Sequence, residues 1–134
     1  MAIAVSGEYG VVFDPEVKFS EKGTAWVKLR GKSTERTRDA QGNWTDGKVL
    51  FVDILVFGKL AEHVADSVTK GDSVVVLGKL EANERTDDQG NKRTDYRIIA
   101  DSVGVSLRWK PVKAAQSVEQ AVQVVADQLG GSPF

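Results

Sequence analysis

The chain has 134 residues, of which 41% are hydrophobic and none is cysteine, which suits one compact domain with its own core and removes disulfides, thiolate metal sites and thiol nucleophiles. His63 is the only histidine, so paired-imidazole zinc sites and His-based catalytic arrangements lack their residues, and no enzyme activity, cofactor or metal is expected. The 18 Lys and Arg stand against 19 Asp and Glu, net −1, a balance that argues against a nucleic-acid partner until the charges are located.

A first strand is expected over roughly Ile3 to Phe19, broken near Asp14-Pro15. Thr24 to Lys32 alternates with period 2: Ala25, Val27 and Leu29 fall on one face, and Trp26, Lys28, Arg30 and Lys32 on the other. Val49 to Phe57 is apolar except for Asp53, with Phe51, Asp53, Leu55 and Phe57 sharing one side. Between these two strands, Ser33 to Lys48 reads as a long polar hairpin excursion with Trp44 on its returning arm.

After Gly58, the apolar spacing of Leu60, Val64, Ala65 and Val68 predicts a helix over Lys59 to Thr69, stopped by Lys70-Gly71. Asp72 to Leu80 is a further strand, Glu84 to Lys92 a second polar hairpin tip, and Arg93 to Ala100 the returning strand. Val105 to Trp109 is expected to add a short strand, with Trp109 packed across the barrel or on a neighbouring subunit. Strand, strand, strand, helix, strand, strand is the element order of an OB-fold, an all-β five-stranded Greek-key barrel with one helix between strands 3 and 4.

The main domain is expected to span residues 1–110. Residues 111–134 then hold a C-terminal helix over Ala114 to Leu129, with Val118, Val122, Val125 and Leu129 on one stripe, and a short flexible tail ending in Pro133-Phe134. That stripe suits packing on the chain's own barrel or on a neighbouring subunit.

Several short motifs in a fixed order carry a resemblance. Asp14-Pro15-Glu16-Val17-Lys18-Phe19 is followed by Gly23, then Phe57-Gly58-Lys59-Leu60-Ala61-Glu62, then Lys70-Gly71-Asp72-Ser73-Val74 and Gly78-Lys79-Leu80. With these motifs the chain resembles bacterial-type single-stranded DNA-binding proteins over most of residues 5 to 110. Gly42 to Gly47 and Val105 to Trp109 look most like the actinobacterial and actinophage branch. The resemblance implies a non-enzymatic OB-fold, usually a homotetramer, that coats single strands without strict sequence preference in replication, recombination and repair. It also implies the cytoplasm of a bacterium or of a phage-infected host; no apolar run approaches the roughly 20 residues of a membrane span, and Met1 to Gly7 lacks the pattern of a signal peptide.

Coating a strand of arbitrary sequence needs cations that track phosphates and flat groups on which any base can stack. Lys28, Arg30 and Lys32 repeat on one strand face about 6.6 Å apart, close to the phosphate spacing of an extended strand. Phe51 and Phe57 sit where the resemblance implies stacking aromatics, with core packing the alternative for each; Trp26 fits hairpin packing or a subunit interface better than stacking. Thr37 and Arg85 occupy two further family stacking positions. Arg85 can lie flat on a base, whereas Thr37 only hydrogen-bonds unless Trp44 replaces it from the other arm. Arg36, Arg38 and Lys48 in the first hairpin, and Arg85, Lys92 and Arg93 in the second, would close on the strand like jaws, and Lys79 joins them by its motif. Asp53 opposes this charge and is expected to pair with a neighbouring Arg or Lys.

Located in this way, the charges separate: residues 1–113 carry all 18 cations and 17 anions, net +1, while residues 114–134 carry only Glu119 and Asp127. The family's tail ends in an acidic tip closing with Pro-Phe that docks on replication and repair enzymes. Pro133 and Phe134 match the end of that tip without its acidic cluster. The rival reading is a diverged OB-type interaction or structural module that has lost most DNA binding, favoured by Thr37, Arg85, Asp53 and the near-zero charge.

Overall fold

In the computed structural model, residues 2–112 are described. The expected Ala114–Leu129 helix and the Pro133-Phe134 tip lie outside them. The chain runs β1 (Ile3–Val11), β2 (Lys18–Phe19), β3 (Ala25–Arg38), β4 (Trp44–Phe57), α1 (Lys59–Ser67), β5 (Ser73–Thr86) and β6 (Lys92–Val105). The sheet order is β1-β5-β6-β4-β3-β2, and a further β1–β3 pairing, Gly10 with Lys32 and Val11 with Gly31, closes it into a barrel. Closure removes the open edges that would otherwise template pairing with other chains. This is the all-β OB-fold; because the expected first strand is split in two at the Asp14-Pro15 break, the helix follows the fourth strand in chain order.

Alternation builds the core. Ala25, Val27 and Leu29 of β3 point inward, as do Val52, Ile54 and Val56 of β4 and Val74 and Val76 of β5, all buried. Helix α1 packs on β3, β4 and β6 and adds Ala61 and Val64, with Val68 just beyond it. Its start depends on Gly58, whose φ of 72° is a left-handed backbone that a Cβ disfavours. From there the Gly58 N–H donates to the Ala25 carbonyl at 2.7 Å, and the Gly58 carbonyl accepts from Ala61. The helix is thereby fixed to the first residue of β3.

The segment read as a polar excursion is paired strand. β3 and β4 continue as a two-stranded ribbon out to Arg38 opposite Trp44, with a register shift between Thr34 and Arg36. Both faces of the ribbon are solvated, so its residues carry no hydrophobic period, while backbone pairing satisfies its N–H and C=O groups. β5 and β6 extend likewise to Thr86 opposite Lys92. The two tips are built alike on one pattern, Asp-x-Gln-Gly-Asn, at 39–43 and 87–91. Asp39 Oδ1 accepts from the N–H groups of Gln41 and Asn43, each at 2.9 Å, and Asp87 Oδ1 does the same for Gln89 and Asn91 at 3.0 and 2.8 Å. These bonds, with that of Asn91 first, hold the Asp87 carboxyl below its ordinary value.

The short strand expected over Val105 to Trp109 does not form. β6 ends at Val105, and the Ser106 N–H takes the carbonyl of Ser73, the first residue of β5, so no partner backbone remains beyond it. Residues 107–112 instead run over the surface, held by Lys110 Nζ on Asp72 Oδ1 at 2.7 Å and Trp109 Nε1 on Glu8 Oε1 at 3.0 Å. Trp109 therefore does not pack across the barrel: its ring is exposed. No helix among the described residues is long and apolar enough to cross a membrane.

Candidate nucleic-acid interface

The two ribbons leave the same side of the barrel and bound an open groove of about 640 Å3 between them. Arg30, Phe51 and Asp53 line it from β3 and β4, Arg85 and Tyr96 from β5 and β6, and Tyr9 from β1. Phe51 is 48% exposed, so its ring is available rather than part of the core. Asp53 pairs with Arg30, Nη1 to Oδ1 at 3.0 Å, across the β3–β4 ladder where the two residues are opposite. Arg85 is held by Asp95 at 2.6 Å. Burial pushes the Tyr9 phenol above its ordinary value.

The cations of β3 share its outward face. Lys28, Arg30 and Lys32 alternate outward along β3 opposite Leu55, Asp53 and Phe51. The register shift places Glu35 opposite both Gly47 and Lys48, and this extra residue brings Trp44 and Asp46 onto the face of Arg38 and Arg36. Arg38 lies 4.7 Å from the Trp44 ring centre and Arg36 3.4 Å from Asp46. Thr37 points to the other face and bonds Thr45 at 3.2 Å, so Trp44 does not stand in for Thr37 on that face. In the second ribbon Arg93 sits opposite Arg85, a like-charge pair compensated by Asp87 and Asp95, with Lys92 beside the tip.

Two expected residues stand away from the groove. Lys79 follows Gly78 and precedes Leu80, which lines the groove, so strand alternation turns Lys79 to the opposite face, beside Ala4 and Ile99. Phe57 lies opposite Trp26, six residues and about 20 Å along β4 from Phe51. There Lys18 sits 5.4 Å from the ring centre of the half-buried Trp26, making a separate row of Lys18, Trp26 and the exposed Phe57. Two of the groove aromatics were not anticipated, Tyr9 of β1 and Tyr96, the latter 62% exposed and opposite Ala82. The only sequence signal for Tyr96 is a large aromatic in phase with Ile98 on the returning strand.

An OB barrel with two ribbons flanking an open groove of aromatic and guanidinium groups is an arrangement suited to a nucleic-acid strand. A model of the single-strand binding protein family matches residues 6–106, and the chain belongs to that family. Single-stranded DNA-binding protein 2 of Streptomyces coelicolor is 41% identical over 111 residues, covering 82% of this chain and 56% of that protein. The single-stranded DNA-binding protein of Paenarthrobacter aurescens is 41% identical over 101 residues, covering 75% and 59%. The chain thus spans less than two thirds of the length of these curated relatives. The crystal structure of the small single-stranded DNA-binding protein from Streptomyces coelicolor superposes with a TM-score of 0.70 at 29% identity, covering 80% of this chain and 96% of that one. The actinobacterial character of these relatives agrees with the branch implied by Gly42 to Gly47 and Val105 to Trp109.

Proposed function

We propose that this chain binds and coats single-stranded DNA without strict sequence preference, during replication, recombination and repair, by phosphate contacts and base stacking and without turnover. The observation that carries the reading is the convergence of Arg30, Phe51, Arg85 and Tyr96 from two ribbons on one open groove. Every base has a face to stack on Phe51 or Tyr96, and each stacked base contributes about 1–3 kcal/mol irrespective of its identity. Lys28 and Lys32, which have no carboxylate partner among the described residues, extend the phosphate track along β3.

A homo-oligomer, tetrameric by resemblance, is part of the proposal. Val75 and Leu77 are exposed on the outer face of β5, a face suited to a second copy of the chain. Residues 1–110 are read as the binding domain, and Pro133-Phe134, outside the described residues, as the end that recruits replication and repair proteins. The setting is the bacterial cytoplasm or that of a phage-infected host.

One observation favours the rival interaction-module reading: the groove arginines Arg30 and Arg85 are both neutralised by Asp53 and Asp95. A competition titration separates the two. Oligo-dT should displace a labelled single strand efficiently while duplex of equal length does not; equal displacement by both, or by neither, would contradict the proposal.

A further inference from the structure

A second depression of about 550 Å3 lies on the outer surface where β1 pairs with β3. Glu8 and Gly10 of β1, Lys32, Thr34 and Arg36 of β3, Asp46 of β4, and Arg108 and Trp109 beyond β6 line it. The segment after β6 is tied here by side chains rather than by sheet pairing. Trp109 Nε1 donates to Glu8 Oε1 at 3.0 Å, and Arg108 Nε stands 3.6 Å from Glu8 Oε2.

That attachment is unusual for a tryptophan. A packed indole hides its ring faces, whereas Trp109 is 71% exposed as a residue while its N–H is engaged by Glu8. The indole N–H lies in the ring plane, so the Glu8 bond fixes one edge and leaves the flat surface free to receive another flat group. The charges point the same way. Glu8 and Asp46 are each taken up by an arginine, Arg108 and Arg36, so Lys32 is the cation in this depression without a carboxylate partner among the described residues.

The two depressions are neighbours. Lys32 in the second is the cross-strand partner of Phe51 in the first, and Tyr9 lines both. Cross-strand partners stand about 5 Å apart at Cβ, less than one nucleotide step of an extended strand. A single strand leaving Phe51 therefore reaches Lys32 with its next phosphate and has the Trp109 ring beyond it.

We propose that this depression is a second single-strand subsite, in which Trp109 stacks a base and Lys32, flanked by Arg36, takes the phosphate that links it to the groove between the ribbons. The inference rests on the proposed single-strand function and adds a site for the continuing strand. Glu8 becomes a positioning residue, acting through Trp109.

The test uses the full chain carrying Trp26→Phe and Trp44→Phe, which leaves Trp109 as the reporter, and oligo-dT of about 4 and about 16 nucleotides, the range of OB-fold site sizes. Trp109 emission should be quenched by the longer strand and far less by the shorter. In the wild-type background, Trp109→Ala should lower the affinity advantage of the longer strand over the shorter by about five-fold or more, the lower end of one stacked base, and Trp109→Phe, which keeps a flat ring but loses the N–H that Glu8 holds, should restore only part of it. Binding of the long strand, seen by anisotropy, without any change in Trp109 emission would overturn the second subsite and leave the proposed function standing. Failure of both strands to bind would overturn both. Should Trp109→Ala not fold, the emission measurement still decides.

Discussion

Arg30 holds its guanidinium carbon 5.3 Å from the centre of the Phe51 ring while its Nη1 bonds Asp53 at 3.0 Å. The cation that should meet a phosphate and the ring that should meet a base thus touch in the free protein, and a carboxylate holds the cation there. A bound strand must exchange one phosphate for Asp53. The groove is poised for that exchange but starts from local neutrality, which places much of the expected binding energy on stacking and on the unpaired lysines.

Removing the competitor should help binding. Asp53→Asn keeps the shape of the side chain and deletes one negative charge at the groove, so affinity for oligo-dT at low salt should rise by about three- to ten-fold. Fluorescence anisotropy of a labelled strand measures this. A loss of affinity would mean that Asp53 serves chiefly to aim Arg30.

Lys28 is exposed, faces outward opposite Leu55 and has no carboxylate partner among the described residues. It should act as a simple phosphate contact. Lys28→Ala should weaken binding to every sequence alike and flatten the slope of log affinity against log salt by about 0.7. An unchanged slope would place Lys28 off the strand's path.

Asp72 anchors the segment after β6. Lys110 Nζ at 2.7 Å, then the Thr69 N–H at 2.9 Å, hold its carboxyl below the ordinary 3.8. A carboxyl depressed in the folded state contributes its full stabilisation above the unfolded value and loses it as pH falls through the folded one. Asp72→Asn should therefore lower stability near neutral pH by about 1–3 kcal/mol and show a shallower loss than the wild type below 3.8. Thermal unfolding as a function of pH reads both.

Gly78 sits at the register shift between β5 and β6. A Cβ there would run into the Ile99 carbonyl oxygen and stand 3.0 Å from Ile98 Cγ2, and neither backbone nor the buried Ile98 can yield cheaply. Gly78→Ala should cost about 1–3 kcal/mol or more and lower the thermal midpoint by at least about 5 °C. A midpoint within a degree or so of the wild type would show that the two strands slide to make room.

The barrel was legible because its strands have one dry face: Ala25, Val27 and Leu29 announce an interior by alternation alone. The ribbons were not, since Ser33 to Arg38 and Trp44 to Lys48 have no dry face, and only pairing between polar backbones makes them strands. Arg30, Phe51 and Arg85 were each candidates from the sequence, and the fold brings them into one groove; the basic partner expected for Asp53 is Arg30. The face of Trp44 depends on the extra residue opposite Glu35, and the turning away of Lys79 depends on which side of β5 the barrel closes. Both are set by partner strands, to which a reading of one segment at a time is blind. The shared Asp-x-Gln-Gly-Asn pattern at the two tips was present in the sequence all along and would have revealed two alike hairpins.

Phe51 joins the fold to the proposed function most directly. Titration of oligo-dT into the wild type and Phe51→Ala, with thermal midpoints measured alongside, should show a loss of about 5- to 150-fold in affinity, the value of one stacked base, with little change in stability because the ring is half exposed. Wild-type affinity in a folded Phe51→Ala protein would contradict the account.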